Sequence, residues 1–282
     1  MATSSVILLV CLLGTLNTVQ CQHEELQANP EDVEKNGKID SIPVDDNYTV
    51  SALIERANKN AGQELDDLEI VEGDIAVYTG LQNADPCTSR GCKWQRSSNG
   101  NVYVPYIIAK QYSSQQKATI EKGLQSFAQS TCIRFTRRTS QKDYVNIQSR
   151  QGCWSYVGRR GGEQVVSLAR SGCVYHQVVQ HELLHALGFN HEQTRSDRDS
   201  HVRIIYKNII KGLEYAFNKI DTNNLGTPYD YGSVMQYDRY AFSRNQQPTI
   251  VPIPDPNAVI GKASEMSRID IMRVNLLYGC KL

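Results

Sequence analysis

His181-Glu182-Leu183-Leu184-His185-Ala186-Leu187-Gly188-Phe189-Asn190-His191 decides how this 282-residue chain is read. The stretch has the form H-E-x-x-H-x-x-G-x-x-H, and each fixed letter has a chemical task. On a helix, His181 and His185 lie one turn apart, so both imidazoles leave one face toward a single metal. Glu182 is turned about 100° round the axis, too far to be an equivalent third ligand. It is better placed to hold a metal-bound water and take its proton. Gly188 can adopt the positive φ that ends a helix, which lets the chain turn and return His191 as a third nitrogen. Three neutral imidazoles with an open position is the catalytic form of a zinc site; a structural zinc would be closed by four protein ligands. At this chain's residue frequencies the five letters should meet by chance in roughly one such sequence in a hundred thousand, so ordinary core histidines are a poor rival.

Composition sets the surroundings. Val6 to Leu13 is an apolar run too short for a bilayer, followed by polar residues; it fits a signal peptide, residues 1–21, cleaved after Cys21. The remainder is expected to be soluble and secreted, with storage in secretory granules as one route, and with no membrane span. Six cysteines then remain (Cys87, Cys92, Cys132, Cys153, Cys173 and Cys280), an even set that implies disulfides but allows fifteen pairings. No C-x-x-C pair supports a zinc ribbon. The net charge of zero hides a division: residues 22–82 carry 15 acidic and 4 basic side chains, and residues 83–282 carry 26 basic and 15 acidic. An acidic leader opposite a basic body suggests a detachable masking segment. No helix strings its cations together with stacking aromatics, which argues against nucleic acid.

Along the chain, residues 22–50 are polar, and Asn47-Tyr48-Thr49 is the only N-glycosylation sequon. Residues 51–69 look helical, with a break at Gly73-Asp74. Val102 to Ile108 reads as a strand, and Ser114 to Ser130 as a helix with Ile120, Leu124 and Phe127 as its apolar stripe. Ile133–Thr136, Tyr144–Ile147 and Gln164–Leu168 read as strands, and the metal helix runs from about Val174 to Leu187. Residues 192–282 are loop-rich, with a last helix near Ser267 to Leu277. The order describes an α+β fold with a mixed twisted sheet, an active-site helix and an irregular C-terminal half, with a cleft between the two halves. His176 and His201 are read as structural, and the Arg159-Arg160-Gly161-Gly162 turn as a solvated loop.

These residues resemble the astacin family of metzincin zinc peptidases. The motif continues as Glu192-Gln193-Thr194-Arg195-Ser196-Asp197-Arg198-Asp199, and Ser233-Val234-Met235-Gln236-Tyr237 is similar to the family's Met-turn. Gly152-Cys153-Trp154-Ser155 and Leu277-Tyr278-Gly279-Cys280 match as well, so the likeness covers residues 70–282. The early pair Cys87 and Cys92 resembles a six-cysteine fish group that includes hatching enzymes (choriolysins), which digest egg envelopes, and nephrosin-like tissue proteases.

The resemblance implies a propeptide at 22–82 and a catalytic domain at 83–282. It implies one Zn2+ per chain on His181, His185 and His191, with Tyr237 as a further ligand that moves to the oxyanion, and Met235 as packing beneath the metal. Glu182 is the implied general base. Asp74, in Val71-Glu72-Gly73-Asp74, would take the zinc position meant for water, and cleavage after Gln82 would free an amino group at Asn83 that turns in toward Glu192. Disulfides 132–280, 153–173 and 87–92 are implied too. Expected partners are protein substrates, egg-envelope or matrix proteins among them, and the chain is expected to be monomeric. A catalytically silent binding protein is the rival class; it would be expected to have lost Glu182 or a histidine. Two departures stand out: Gln236 and Asp238 replace the family's usual His and Gly, and no basic residue precedes Asn83.

Overall fold

The structure is a computed structural model that describes residues 48–59, 61, 68–78 and 91–281, which belong to one compact unit. The expectations for residues 1–21, Asn47, Gln82, Asn83 and Cys87 lie outside the described residues.

Runs of β-branched and aromatic residues form a seven-stranded mixed sheet. Its strands are β1 (Leu68–Val71), β2 (Ile75–Tyr78), β3 (Val102–Ile108), β4 (Ile133–Arg137), β5 (Tyr144–Gln148), β6 (Cys153–Ser155) and β7 (Glu163–Leu168). They lie in the order β1-β2-β6-β7-β5-β3-β4. The β3, β4, β5 and β7 pairings are parallel, and β6 runs antiparallel to β7. Strand β2 adds parallel to β6, with Ile75 opposite Ser155, and β1 folds back antiparallel on β2. Buried parallel strands should be apolar on both faces, and β7 is buried from Gln164 to Leu168.

Helix α2 (Ser114–Ser130) starts at a capping box: Ser113 accepts from Gln116 N while the Gln116 side chain accepts from Ser113 N. Ile120, Leu124 and Phe127 are its buried stripe, and it packs on α3 (His176–Ala186), whose residues from Val178 to Ala186 are all buried. A helix buried all round its later turns carries its polar residues as chemistry, since buried polar groups cost energy unless partnered. The C-terminal half contributes a small sheet of β8 (Val202–Ile204) and β9 (Ile250–Pro252), several 3-10 turns and α4 (Arg268–Tyr278). Helix α4 begins at a capping box of Ser267 and Asp270 and ends at Gly279, which is left-handed.

Cys132–Cys280 ties the start of β4 to the residue just past α4, and Cys153–Cys173 ties β6 to the turn before α3. The first closes a loop of 148 residues, worth about 4–5 kcal/mol by loop-entropy reasoning. Cys92 is disulfide-bonded as well.

Three expectations change. The 51–69 helix stops early: α1 is Val50–Asn58, and by Leu68 the chain is a strand. Asn58 uses its carboxamide in tertiary bonds, to Gly73 O and Cys153 O at 2.6 Å each, and Leu-Glu-Ile-Val alternates as a strand does. Gly73-Asp74 is therefore the turn of a β-hairpin. Arg159 is also no solvated side chain, since it reaches Asp143 at 2.6 Å and the Lys93 carbonyl at 3.1 Å.

Gly123 of α2 marks the closest approach to α3. A Cβ there would lie 2.4 Å from Val179 Cγ1 and 2.9 Å from Val179 Cβ. Gly123→Ala should lose about 1–3 kcal/mol to overpacking, more than the roughly 1 kcal/mol of added helix propensity. Denaturant midpoints check this, and Val179→Ala in the same chain should recover part of the loss.

Candidate active site

Helix α3 presents His181 and His185 from one face, and the turn after it brings in His191. Gly188 takes φ +104°, the left-handed conformation that this turn requires. His181 Nδ1–H donates to Val234 O at 2.9 Å, and His185 Nδ1–H donates to Phe189 O at 2.7 Å. A carbonyl can only accept, so both rings carry their proton on Nδ1 and turn the Nε2 lone pair inward. The two Nε2 atoms are 3.1 Å apart, and the ring centroids of the three histidines lie 4.7–5.3 Å from one another.

The fourth member is Asp74, at the tip of the β1–β2 hairpin. Its Oδ2 is 3.0 Å from His181 Nε2, and its Oδ1 is 3.5 Å from His185 Nε2 and 3.0 Å from His191 Nε2. The four residues are buried, with ligand atoms all within 4.8 Å of one another. Asp74 Oδ1 and His191 Nε2, though close, have no hydrogen-bond partner among the described residues. Converging lone pairs and a carboxylate, buried and partly unpartnered, call for a cation, and three nitrogens with one oxygen suit tetrahedral Zn2+. Burial pushes the Asp74 carboxyl up, but the charges and hydrogen bonds of the histidines, His191 first, hold it well below the usual range.

Glu182 is fully buried, and neither carboxylate oxygen has a hydrogen-bond partner among the described residues. Burial, with repulsion from Asp74 added, pushes its carboxyl well above the usual range. A carboxylate of raised basicity with free oxygens can take a proton from a bound reactant. Tyr237 is buried, its ring 4.4 Å from that of His191, and its hydroxyl donates to the backbone carbonyl of Glu72. Gly73 lets the hairpin pass: its φ is +93°, and a Cβ there would lie 2.9 Å from the Tyr237 hydroxyl. The Glu72 side chain lies 3.4 Å from His191 Nδ1.

Several supports escaped the sequence reading. Asp270 of α4 accepts from Ser233 Oγ at 2.6 Å and Val234 N at 2.9 Å, so α4 holds the turn whose carbonyl orients His181. Gln193 Oε1 accepts from Tyr237 N at 3.2 Å. Met235 is buried below this turn, and its carbonyl accepts from Glu192 N. Gln236 is buried against Tyr229, whose hydroxyl donates to it at 2.6 Å, while His201 stacks on the Tyr229 ring at 4.8 Å. Glu192 is paired with Arg273 through two bonds, 2.6 and 2.8 Å, and accepts from Asp230 N at 2.7 Å. The last helix, expected near Ser267 to Leu277, is found at Arg268–Tyr278, but nothing local links its Asp270 to residue 233.

A buried three-histidine centre on a glutamate-bearing helix, beside a mixed sheet, defines a zinc metalloendopeptidase. Residues 90–279 match the family model described as Astacin, a peptidase family, and the chain belongs to the astacin family. It is 47% identical to the low choriolytic enzyme of Oryzias latipes over 282 residues, covering 99% of each chain. It is 50% identical to high choriolytic enzyme 1 of the same fish over 238 residues, 84% of this chain and 86% of that one. The solved structure of that enzyme, described as a hatching enzyme zinc-protease, aligns with a TM-score of 0.67 and 54% identity, over 68% of this chain and 97% of its own. Among the described residues, no helix is long and apolar enough to cross a membrane.

The Glu192–Arg273 pair is a test of the support around the site. Removing one partner of a buried pair strands the other charge, so Arg273→Met should cost about 3–5 kcal/mol. Adding Glu192→Gln should recover part of that loss. Chemical denaturation of the two variants checks both statements.

Proposed function

We propose that this chain is the secreted zymogen of a zinc endopeptidase that digests egg-envelope protein at hatching, with residues 22–82 as its propeptide. The observation that carries the zymogen reading is Asp74, seated among His181, His185 and His191 at 3.0–3.5 Å. Support for the substrate comes from the choriolytic relatives at 47–50% identity.

Zinc held by His181, His185 and His191 would act as a Lewis acid, polarising the scissile carbonyl and lowering the pKa of water. The protein supplies the rest. Glu182 takes the proton of the attacking water and hands it to the nitrogen of the leaving amine as the peptide C–N bond breaks. Tyr237 donates its hydroxyl to the oxyanion that forms on the former carbonyl oxygen. In the zymogen the metal ligands and the oxyanion donor are both engaged: Asp74 lies against the three histidines, and the Glu72 carbonyl takes the Tyr237 hydroxyl. Latency on this reading has two locks, one on the metal and one on the oxyanion donor.

Cleavage between Gln82 and Asn83 removes both locks. N-terminal sequencing of the active enzyme should read from Asn83; a start upstream of Asp74 with full activity refutes the mechanism. Glu182→Ala should keep one zinc per chain, measured by elemental analysis, yet lose at least about 10³-fold in kcat. Near-normal turnover would remove Glu182 from the reaction. Uncut Asp74→Ala should hydrolyse a quenched fluorescent peptide that the uncut parent leaves intact, at a rate below that of the cleaved enzyme because the Glu72 lock remains. Phenanthroline should abolish the activity and zinc restore it.

A further inference from the structure

Asp238 stands where the family usually has glycine, directly after Tyr237, so the two Cα atoms are about 3.8 Å apart. Its carboxylate binds the start of α1. Thr49 Oγ1 donates to Asp238 Oδ2 at 3.0 Å, and Ser51 Oγ donates to the same oxygen at 2.9 Å. Ser51 Oγ accepts in turn from Asp238 N at 2.9 Å. The second carboxylate oxygen, Oδ1, accepts from Tyr240 N at 2.6 Å, a bond within its own loop.

The position of α1 gives these contacts their meaning. Ser51, Glu55 and Gly73 line one small pocket with Tyr237, Ala241 and Phe242. At the other end of the helix, Asn58 pairs with both polar groups of Cys153 on β6: its Nδ2 donates to the carbonyl and its Oδ1 accepts from the amide at 2.7 Å. Helix α1 thus bridges the wall that carries Tyr237 and the strand beside the metal helix. That is the space a polypeptide substrate must enter to reach Glu182 and Tyr237.

We propose that Asp238 is a specificity-determining residue of the mature enzyme, its Oδ2 accepting a hydrogen bond from a hydroxyl or cationic side chain of the bound substrate. The proposal rests on the reading that α1 leaves with the propeptide. When it leaves, Oδ1 keeps its bond to Tyr240 N, so the carboxylate stays oriented. Oδ2 loses two donors and faces the cleft one residue from the oxyanion tyrosine. An anionic acceptor in that position favours a side chain that can donate, because a substrate without one leaves it unpaired or must leave room for water. Thr49 and Ser51 already show the chemistry it accepts. A glycine at 238 offers no such acceptor, so the preference belongs to this chain's own sequence.

The test compares mature parent enzyme, Asp238→Asn and Asp238→Gly, each with its start confirmed by mass and its zinc content measured. Peptides carry Ser, Thr, Lys or Arg against Ala or Val, singly, at each position flanking the scissile bond. The parent should prefer the donor side chains at one position by about tenfold to a hundredfold in kcat/KM, the scale of a hydrogen bond to a charged group. Both variants should lose that preference and keep the others. Asp238→Glu should retain it in part. If the parent and variant profiles superimpose at every position, Asp238 serves only the propeptide and the proposal falls. Asp238→Gly keeps the comparison open should Asp238→Asn fold poorly, since it removes the carboxylate without leaving an amide in its place. A parent that cleaves no peptide would instead count against the endopeptidase reading.

Discussion

Three imidazole lone pairs point at one buried spot, and most of the molecule exists to keep them there. Two Nε2 atoms 3.1 Å apart would repel without a cation between them. Their orientation is not set by the rings but by backbone carbonyls, Val234 O for His181 and Phe189 O for His185. Each carbonyl must in turn be held. Phe189 follows the left-handed Gly188, and Val234 sits in a turn pinned by Asp270 of α4. Helix α4 is capped at one end and tied by Cys132–Cys280 at the other. A metal site of this kind is only as exact as the chain of supports behind its ligands.

The occupant of the site follows from the same electrostatics. A segment entering among imidazoles whose lone pairs face a cation site, next to a buried carboxyl, has to bring an anion that such a cation would hold. Asp74 does so, and the histidines outweigh its burial. It also presses on Glu182, whose carboxyl is raised first by burial and then by Asp74. The acidic balance of residues 22–82 therefore has one member whose charge is used at a single point and others, such as Glu55, that are used at the rim. Glu55 Oε2 accepts from Phe242 N at 3.1 Å, so α1 is fastened through a carboxylate as well as through the hydroxyls bound by Asp238.

What could be read from the sequence was what spacing alone encodes. His181, Glu182 and His185 share one helix, and the glycine and third histidine follow within six residues, so helical geometry nearly builds the centre. Strands β3, β4, β5 and β7 and helices α2 and α4 were legible from the pattern of apolar residues for the same reason. The supports were not, because they join residues far apart in the chain. Asp270 meets Ser233 across 37 positions, Arg273 meets Glu192 across 81, and Asp238 meets Ser51 across 187. Nor was the hairpin at 68–78 legible. Ala52 to Asn58 has helical propensity that reads on smoothly, whereas β1 is held by β2, and β2 in turn by β6 in another part of the sequence.

Glu192 shows how much the surroundings change the meaning of a motif residue. By family resemblance, a glutamate after the third histidine is expected to meet the amino group of Asn83. In the folded chain its charge is compensated before any cut: Arg273 forms a bidentate pair with it, Asp230 N adds a third bond, and Arg195 stands at 3.5 Å. Burial still raises its carboxyl despite those partners, so the site is poor in water rather than poor in cations. An arriving ammonium would therefore not rescue an isolated anion. It would join a pocket already holding two guanidiniums, one of them shared with Asp197 at 2.8 Å. Its gain must come from the carboxylate lone pairs that remain, not from neutralising bare charge. The order of events matters for the same reason: Glu192, Arg273 and the Met-turn pack while α1 and the hairpin are in place, so on the proposed zymogen reading removal of the leader would uncover a centre whose supports are already built.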